Sequence, residues 1–97
     1  MDIKKDLNDL TDALTVVDLF ATWCGPCRML APILEDIKEN NVCEVFKIDV
    51  DASPDVARKY NVFSIPTLLL FKNKTLVSTS VGYKSYDELV EWINNNK

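Results

Sequence analysis

Histidine is absent from this chain of 97 residues. Without an imidazole there can be no Ser-His-Asp triad, no Cys-His pair and no histidine-ligated metal site. Basic residues are also in the minority, because 11 Lys and Arg face 15 Asp and Glu and leave a net charge of −4 at pH 7. Nucleic-acid binding needs a concentrated basic surface, so we expect no nucleic-acid partner.

Long apolar runs are missing as well. The longest, Leu68 to Phe71, has the length of a strand, whereas a membrane helix needs about 20 apolar residues. The opening MDIKKDLNDL contains two lysines but lacks the apolar stretch that follows them in a secretory signal. The sequence therefore predicts no membrane association and a cytoplasmic location.

Hydrophobic residues make up 47% of the chain, which suits a folded protein rather than a disordered one. A chain of this length can bury a modest core without stabilising cross-links. We therefore expect one domain over residues 1–97, with a monomer as the default state.

Hydrophobic periodicity gives the expected order of secondary structure. Continuous or alternating apolar runs predict strands, and apolar residues at three-and-four spacing predict helices. The predicted strands are 15–20, 42–50, 67–72 and 75–81, and the predicted helices start at the Gly25-Pro26 pair, at Ser53 and at Ser85. A strand, a helix and a strand in succession pair in parallel, whereas the last two strands form an antiparallel hairpin. We therefore expect an α/β fold in which helices flank a central mixed sheet.

Local sequence adds detail to two of these elements. The first helix should end near residues 40–41 and present an apolar stripe, which comprises Met29, Leu30, Ile33, Leu34 and Ile37. In the hairpin, Lys74 is an unusual turn residue, because a positive φ costs a non-glycine residue about 1 kcal/mol. We therefore expect a turn longer than two residues.

Two of the three cysteines, Cys24 and Cys27, lie in the sequence WCGPC. A purely structural disulfide here would close a very short loop and remove little chain entropy from the unfolded state. A zinc-type site needs four ligands, and Cys43, which we expect to be a small buried residue in a central strand, is the only other thiol. A dithiol redox couple is the third use, and the local pattern favours it.

The redox interpretation rests on the start of the predicted helix. Cys24 falls between a strand and that helix, where unpaired backbone N–H groups and the helix dipole favour an exposed thiolate. Cys27 follows one turn later on the same face, Pro26 stiffens the first turn, and Gly25 lets a partner chain come close. An accessible thiolate with a second thiol behind it suits thiol–disulfide exchange through a mixed disulfide.

In these residues the chain resembles the thioredoxin family. The likeness is carried by VVDLFATWCGPCRMLAP, by FKIDVD at Phe46 to Asp51, by SIPT at Ser64 to Thr67, and by VGY at Val81 to Tyr83. It implies the thioredoxin fold, with a mixed sheet of four to five strands, and the activity of a protein-disulfide reductase. It also implies no cofactor and no metal, disulfide-containing proteins as substrates, and a thioredoxin reductase as the electron donor.

The resemblance also implies roles for individual residues. Cys24 corresponds to the attacking thiol, Cys27 to the resolving thiol and Asp18 to a buried carboxylate beneath them. Alternation along the strand places Asp18 on a face that a helix should cover, so its pKa should be raised and it could accept the proton of Cys27. The alternative is an acid that is merely paired with Lys47, which matches the family's lysine near that carboxylate.

On the substrate side, Pro66 matches the proline that is cis in this fold and lies beside the cysteines. The alternative is an ordinary proline at the start of a strand. The exposed backbone of Ile65 would then pair with an extended substrate segment. Trp23 and Gly82 match an apolar docking surface, although Trp23 could instead be a buried core residue.

The segment before the first central strand departs from the family, being shorter than usual. An edge strand around Asp2 to Lys4 should be vestigial or missing, followed by a helix near Asp6 to Leu14. Two other functions stay open at this point: an oxidase or isomerase with the same fold, and a binding module in which the redox chemistry is incidental.

Overall fold

In the computed structural model, which describes residues 3–97, strands and helices follow the order expected from the sequence. The elements are β1 (Thr15–Phe20), α1 (Gly25–Glu39), β2 (Glu44–Asp49), α2 (Pro54–Lys59), β3 (Thr67–Lys72), β4 (Thr75–Val81) and α3 (Tyr86–Asn94). None of the helices in the described part of the chain is long and apolar enough to cross a bilayer.

The four strands form one mixed sheet in the order β2-β1-β3-β4. β1 runs parallel to β2 and antiparallel to β3, and β3 pairs antiparallel with β4. Leu19, near the end of β1, lies opposite Thr67, the first residue of β3. This register brings the residues that follow β1 next to the residues that precede β3, and so places the cysteine segment beside Pro66.

Apolar side chains cover both faces of the sheet. One cluster joins strand residues to α1 and α3, and its buried members are Val16, Leu30, Leu34, Ile37, Val45, Leu68, Leu70, Leu89 and Ile93. The other joins the opposite face to α2, and its buried members are Val17, Leu19, Ile48, Val56, Leu69 and Phe71. β1 is buried along its whole length, as expected for a central strand with helices on both sides.

The buried stripe of α1 differs from the expected one at Met29. The buried residues are Cys27, Leu30, Leu34 and Ile37, whereas Met29 is 61% exposed. Adjacent helical residues are separated by about 100° around the axis, so a helix that buries Leu30 turns Met29 towards solvent. α1 ends at Glu39 with Asn40 as its C-cap, close to the expected end.

The hairpin turn is shorter than the sequence led us to expect. Lys72 pairs with Thr75, so the turn between β3 and β4 has only two residues, Asn73 and Lys74. Their φ angles are 51° and 65°, both in the left-handed region that two-residue hairpins of type I′ require. The expectation of a longer turn was wrong, because the strand register imposes the left-handed conformation on Lys74 despite its cost.

The expected helix near 6–14 is also wrong, since this segment consists of turns and bends. The Asp6 carboxylate accepts from the backbone N–H of Asn8 at 2.9 Å, and the Thr11 hydroxyl accepts from the N–H of Ala13 at 3.2 Å. Such local bonds offer the backbone an alternative to a helix. The edge strand is reduced in the described residues to a bridge between Ile3 and Lys47, and Asp2 lies outside them.

Candidate active site

The end of β1 and the start of α1 fix the position of Cys24. It is the N-cap of α1, with extended φ and ψ of −85° and 113°, and its N–H donates to the carbonyl of Ala21 at 3.2 Å. The N–H of Cys27 donates to the Cys24 sulfur at 3.2 Å. The sulfur therefore occupies the position of a capping acceptor at the positive end of the helix, where negative charge is stabilised.

Cys24 and Cys27 are joined by a disulfide bond, with their Cα atoms 5.3 Å apart. Their residues are 5% and 3% exposed, and they form a small buried cluster with Phe20 and Ala21. The expectation that Cys24 is openly exposed is therefore wrong for this oxidised state, because Ile65 and this cluster cover most of it. A partner must approach through a narrow accessible face.

The segment before β3 forms the other wall of the site. The peptide bond between Ile65 and Pro66 is cis, and the carbonyl oxygen of Ile65 lies 3.9 Å from the Cys24 sulfur. The N–H of Gly82 donates to the carbonyl of Pro66 at 2.8 Å. Gly82 has a φ of 89°, a conformation that side chains other than glycine's rarely adopt. The three segments that contain Cys24, Pro66 and Gly82 thus meet at one end of the sheet.

Trp23 lies on the surface, so the core alternative is wrong. Its residue is 66% exposed, and its indole N–H donates to the Asp51 carboxylate at 2.8 Å. Sequence reasoning missed Asp51. A signal was available, because β1 and β2 are parallel and a carboxylate just after β2 must lie near the cysteine segment that follows β1.

Asp18 is fully buried in β1, and neither of its carboxylate oxygens has a hydrogen-bond partner. Burial raises its pKa from 3.8 to about 7, and the positive charge of Lys47 opposes part of that rise. Lys47 lies opposite Asp18 in the ladder between β1 and β2, but its ammonium group lies over the ring of Phe20, 4.5 Å from the centroid. Lys47 therefore acts on Asp18 through space, and the alternative of a direct ion pair is wrong.

A cleft of about 260 Å³ opens between Cys27 and Lys47. Its lining residues are Phe20, Ala21, Thr22, Cys27, Arg28, Ala31 and Lys47. A space of this size with polar groups at its edge can hold water. Water could therefore reach Cys27 from this cleft.

Cys43 does not belong to this site. It precedes β2, which starts at Glu44, and it is only partly buried, so its expected place in a central strand was wrong. Burial raises its pKa to about 11, so the group is a neutral thiol at pH 7. Among residues 3–97, no three potential ligand side chains of Cys, Asp or Glu lie close enough together to hold a metal ion.

Known proteins share this arrangement of sequence and fold. The sequence model of the thioredoxin family matches residues 2–95. A thioredoxin of Rickettsia bellii is 44% identical over 88 residues, which cover 89% of this chain and 84% of that protein. A thioredoxin of Listeria monocytogenes is 43% identical over 98 residues, covering 93% of this chain and 95% of that protein.

Solved structures agree with the sequence relatives. An asparagine-to-glutamine mutant of a thioredoxin from Halobacterium salinarum superposes with a TM-score of 0.83 at 38% identity, covering 89% of this chain and 75% of that one. The reduced thioredoxin pre-protein of Schistosoma mansoni gives a TM-score of 0.83 at 37% identity, covering 94% and 86%. The family model matches residues 2–95, and the two curated thioredoxins are 44% and 43% identical to this chain over most of its length. The chain therefore belongs to the thioredoxin family.

Proposed function

We propose a division of labour between the two cysteines in the protein-disulfide reductase activity that family membership gives this chain. Cys24 is the attacking residue and Cys27 the resolving residue. The observation that carries this assignment is the hydrogen bond from the N–H of Cys27 to the Cys24 sulfur, at the N-cap of α1. A sulfur that accepts a backbone N–H at a helix N-terminus is the one whose thiolate is stabilised.

The reaction transfers two electrons in two exchanges. In the first, the Cys24 thiolate attacks a substrate disulfide, so that a bond forms between Cys24 and one substrate sulfur while the second substrate sulfur leaves as a thiolate. In the second, the Cys27 thiol loses its proton and attacks the Cys24 sulfur. The Cys24–Cys27 disulfide forms, the remaining substrate sulfur leaves, and both substrate thiolates take up protons.

Asp18 is the proposed acceptor of the Cys27 proton. A carboxylate with a pKa of about 7 is a competent base at neutral pH, whereas an ordinary aspartate is a much weaker one. Both of its oxygens are free of hydrogen bonds, and Lys47 tunes its pKa from across the strand pair. Cys27 and Lys47, the strand neighbour of Asp18, line one cleft, and we propose that water there carries the proton from Cys27 towards Asp18.

Substrate binding is assigned to the surface around the sulfurs. Ile65 presents its backbone and carbonyl beside Cys24, where an extended segment can pair with it. Trp23 and Gly82 flank this position, Pro66 supports it, and Gly25 with Pro26 forms the adjoining helix start.

We also propose the setting in which the chain works. Residues 1–97 act as one domain, which is supported by the single sheet and by the family match over residues 2–95. A thioredoxin reductase restores the dithiol by supplying two electrons, and the chain works as a monomer in the cytoplasm.

The test is reduction of a model protein disulfide by a dithiol reagent in the presence of the purified chain. Cys24→Ser should abolish the acceleration, and Cys27→Ser should accumulate a mixed disulfide through Cys24. Cys43→Ser is the matched control and should leave the rate unchanged, because that thiol lies outside the site. Retained activity in Cys24→Ser, or a mixed disulfide through Cys27, would overturn the assignment.

A further inference from the structure

Large apolar side chains are exposed on the surface around the sulfurs. Four exposed apolar residues lie on the three segments that meet at Cys24, namely Trp23 at 66%, Phe63 at 93%, Val81 at 55% and Tyr83 at 43% exposure. Single exposed apolar residues are common and need no explanation, but a group around one reactive sulfur marks an interaction surface. Phe63 is the most exposed member, and the mechanism above gives it no role.

Phe63 belongs to the segment whose backbone borders Cys24. It precedes Ile65 by two residues, and Ile65 places its carbonyl oxygen 3.9 Å from the Cys24 sulfur. Two residues of chain span at most about 7 Å. The Cα atom of Phe63 therefore lies no more than about 7 Å from that of Ile65, close to where a substrate segment bonded to Cys24 would continue.

Few charged side chains near Phe63 are available to select a substrate by its charge. Residues 60–71 contain no charged side chain. Two cations near the site are directed to backbone carbonyls, since Lys84 donates to Val81 at 2.8 Å and Arg28 donates to Thr22 at 3.0 Å. A third, Lys47, lies over the ring of Phe20. A partner side chain that meets Phe63 is therefore favoured by being apolar rather than by carrying a charge.

We propose that Phe63 is a specificity-determining residue that selects substrates with a large apolar side chain two or three residues from the attacked cysteine. This inference rests on the proposed role of Cys24. In an extended segment each residue advances about 3.3 Å, so a side chain two residues from the cysteine lies about 7 Å from it. This distance matches the upper limit of about 7 Å for the separation of Phe63 and Ile65. Contact between that substrate side chain and the Phe63 ring would remove both apolar surfaces from water.

The test uses two peptides that carry the same disulfide and differ at one position two residues from the cysteine, with Leu in one and Ser in the other. A small disulfide without a peptide, such as glutathione disulfide, is the third substrate. The variants are Phe63→Ser, Phe63→Leu and Leu76→Ser. Leu76 is the matched control, because it is an exposed apolar residue at the hairpin end of β4, far from Val81 and the sulfurs.

The parent chain should prefer the Leu peptide. Phe63→Ser should lower kcat/KM for that peptide about tenfold, which corresponds to losing about half of the burial of a large apolar side chain. It should change kcat/KM for the Ser peptide and for the small disulfide less than about twofold, and Phe63→Leu should restore most of the preference. Leu76→Ser should behave as the parent.

Other results would contradict either the role of Phe63 or the proposed role of the cysteines. Equal losses on both peptides, no loss on either, or a parent chain without a preference would overturn the role of Phe63. If the parent chain reduced none of the three substrates, the proposed function of the cysteines would fail instead. The two failures are thus distinguishable.

Discussion

Replacing Asp18 with asparagine should stabilise the protein, and the gain should depend on pH. The asparagine has nearly the same shape and cannot ionise. In the parent chain the buried carboxyl has a pKa of about 7, whereas its ordinary value is 3.8. Between these values the folded protein keeps a proton that the unfolded chain has already released.

The sign and size of the effect follow from proton linkage. Because the folded state binds more protons than the unfolded state in this range, the stability that Asp18 contributes is fully present below pH 3.8 and is lost as the pH rises through about 7. Each unit of pKa difference is worth about 1.4 kcal/mol, so the complete loss amounts to about 4 kcal/mol. That is a large part of the roughly 5–15 kcal/mol by which a folded domain is usually stable.

Urea unfolding of the oxidised parent and of Asp18→Asn, at intervals from pH 4 to pH 8, measures this difference directly. High salt should be used so that surface charges are screened, since a buried carboxyl responds to salt much less. The variant should gain on the parent through the whole interval and level off above pH 7. A difference that does not vary with pH, or one that shrinks as the pH rises, would show that Asp18 does not have a raised pKa.

Two further substitutions test neighbouring parts of the structure. Lys47→Met removes the positive charge that opposes the effect of burial, so the pKa of Asp18 should rise above about 7. A titration followed by the NMR shift of the Asp18 carboxyl carbon measures this pKa, and an unchanged or lowered value would contradict the coupling. Lys74→Gly should raise the free energy of unfolding by about 0.5–1 kcal/mol, because a φ of 65° is strained for lysine. Asn73→Gly should raise it less, because asparagine tolerates the left-handed region, and equal increases would contradict the explanation.

The fold was largely predictable because its central strands and helices have consistent local signals. β1 is apolar apart from Thr15 and the buried Asp18, and β3 contains the apolar run from Leu68 to Phe71. The Ser85–Glu88 capping box marks the start of α3 in the structure as in the sequence. Prediction failed where local preference and long-range contacts disagree. Nothing near Lys74 indicates that the pairing of β3 with β4 will hold it at a positive φ. The missing helix before β1 has a different cause, because short-range side-chain hydrogen bonds there compete with helical backbone bonds.

The site was predictable in its chemistry but not in its exposure. WCGPC specifies two thiols on one face of a helix start, and that arrangement follows from helical geometry alone. How much of Cys24 is covered depends instead on Ile65, which is 41 residues away and reaches the sulfur only because β1 and β3 are adjacent and antiparallel. The environment of Asp18 has the same origin: alternation along β1 predicts that the residue faces a helix, whereas the separation of its carboxylate from Lys47 depends on the ring of Phe20 beneath the ammonium group. The exposure of Cys24 and the environment of Asp18 therefore both depend on contacts between segments that are distant in sequence, and substitutions at Ile65 or Phe20 should alter them without changing the WCGPC sequence.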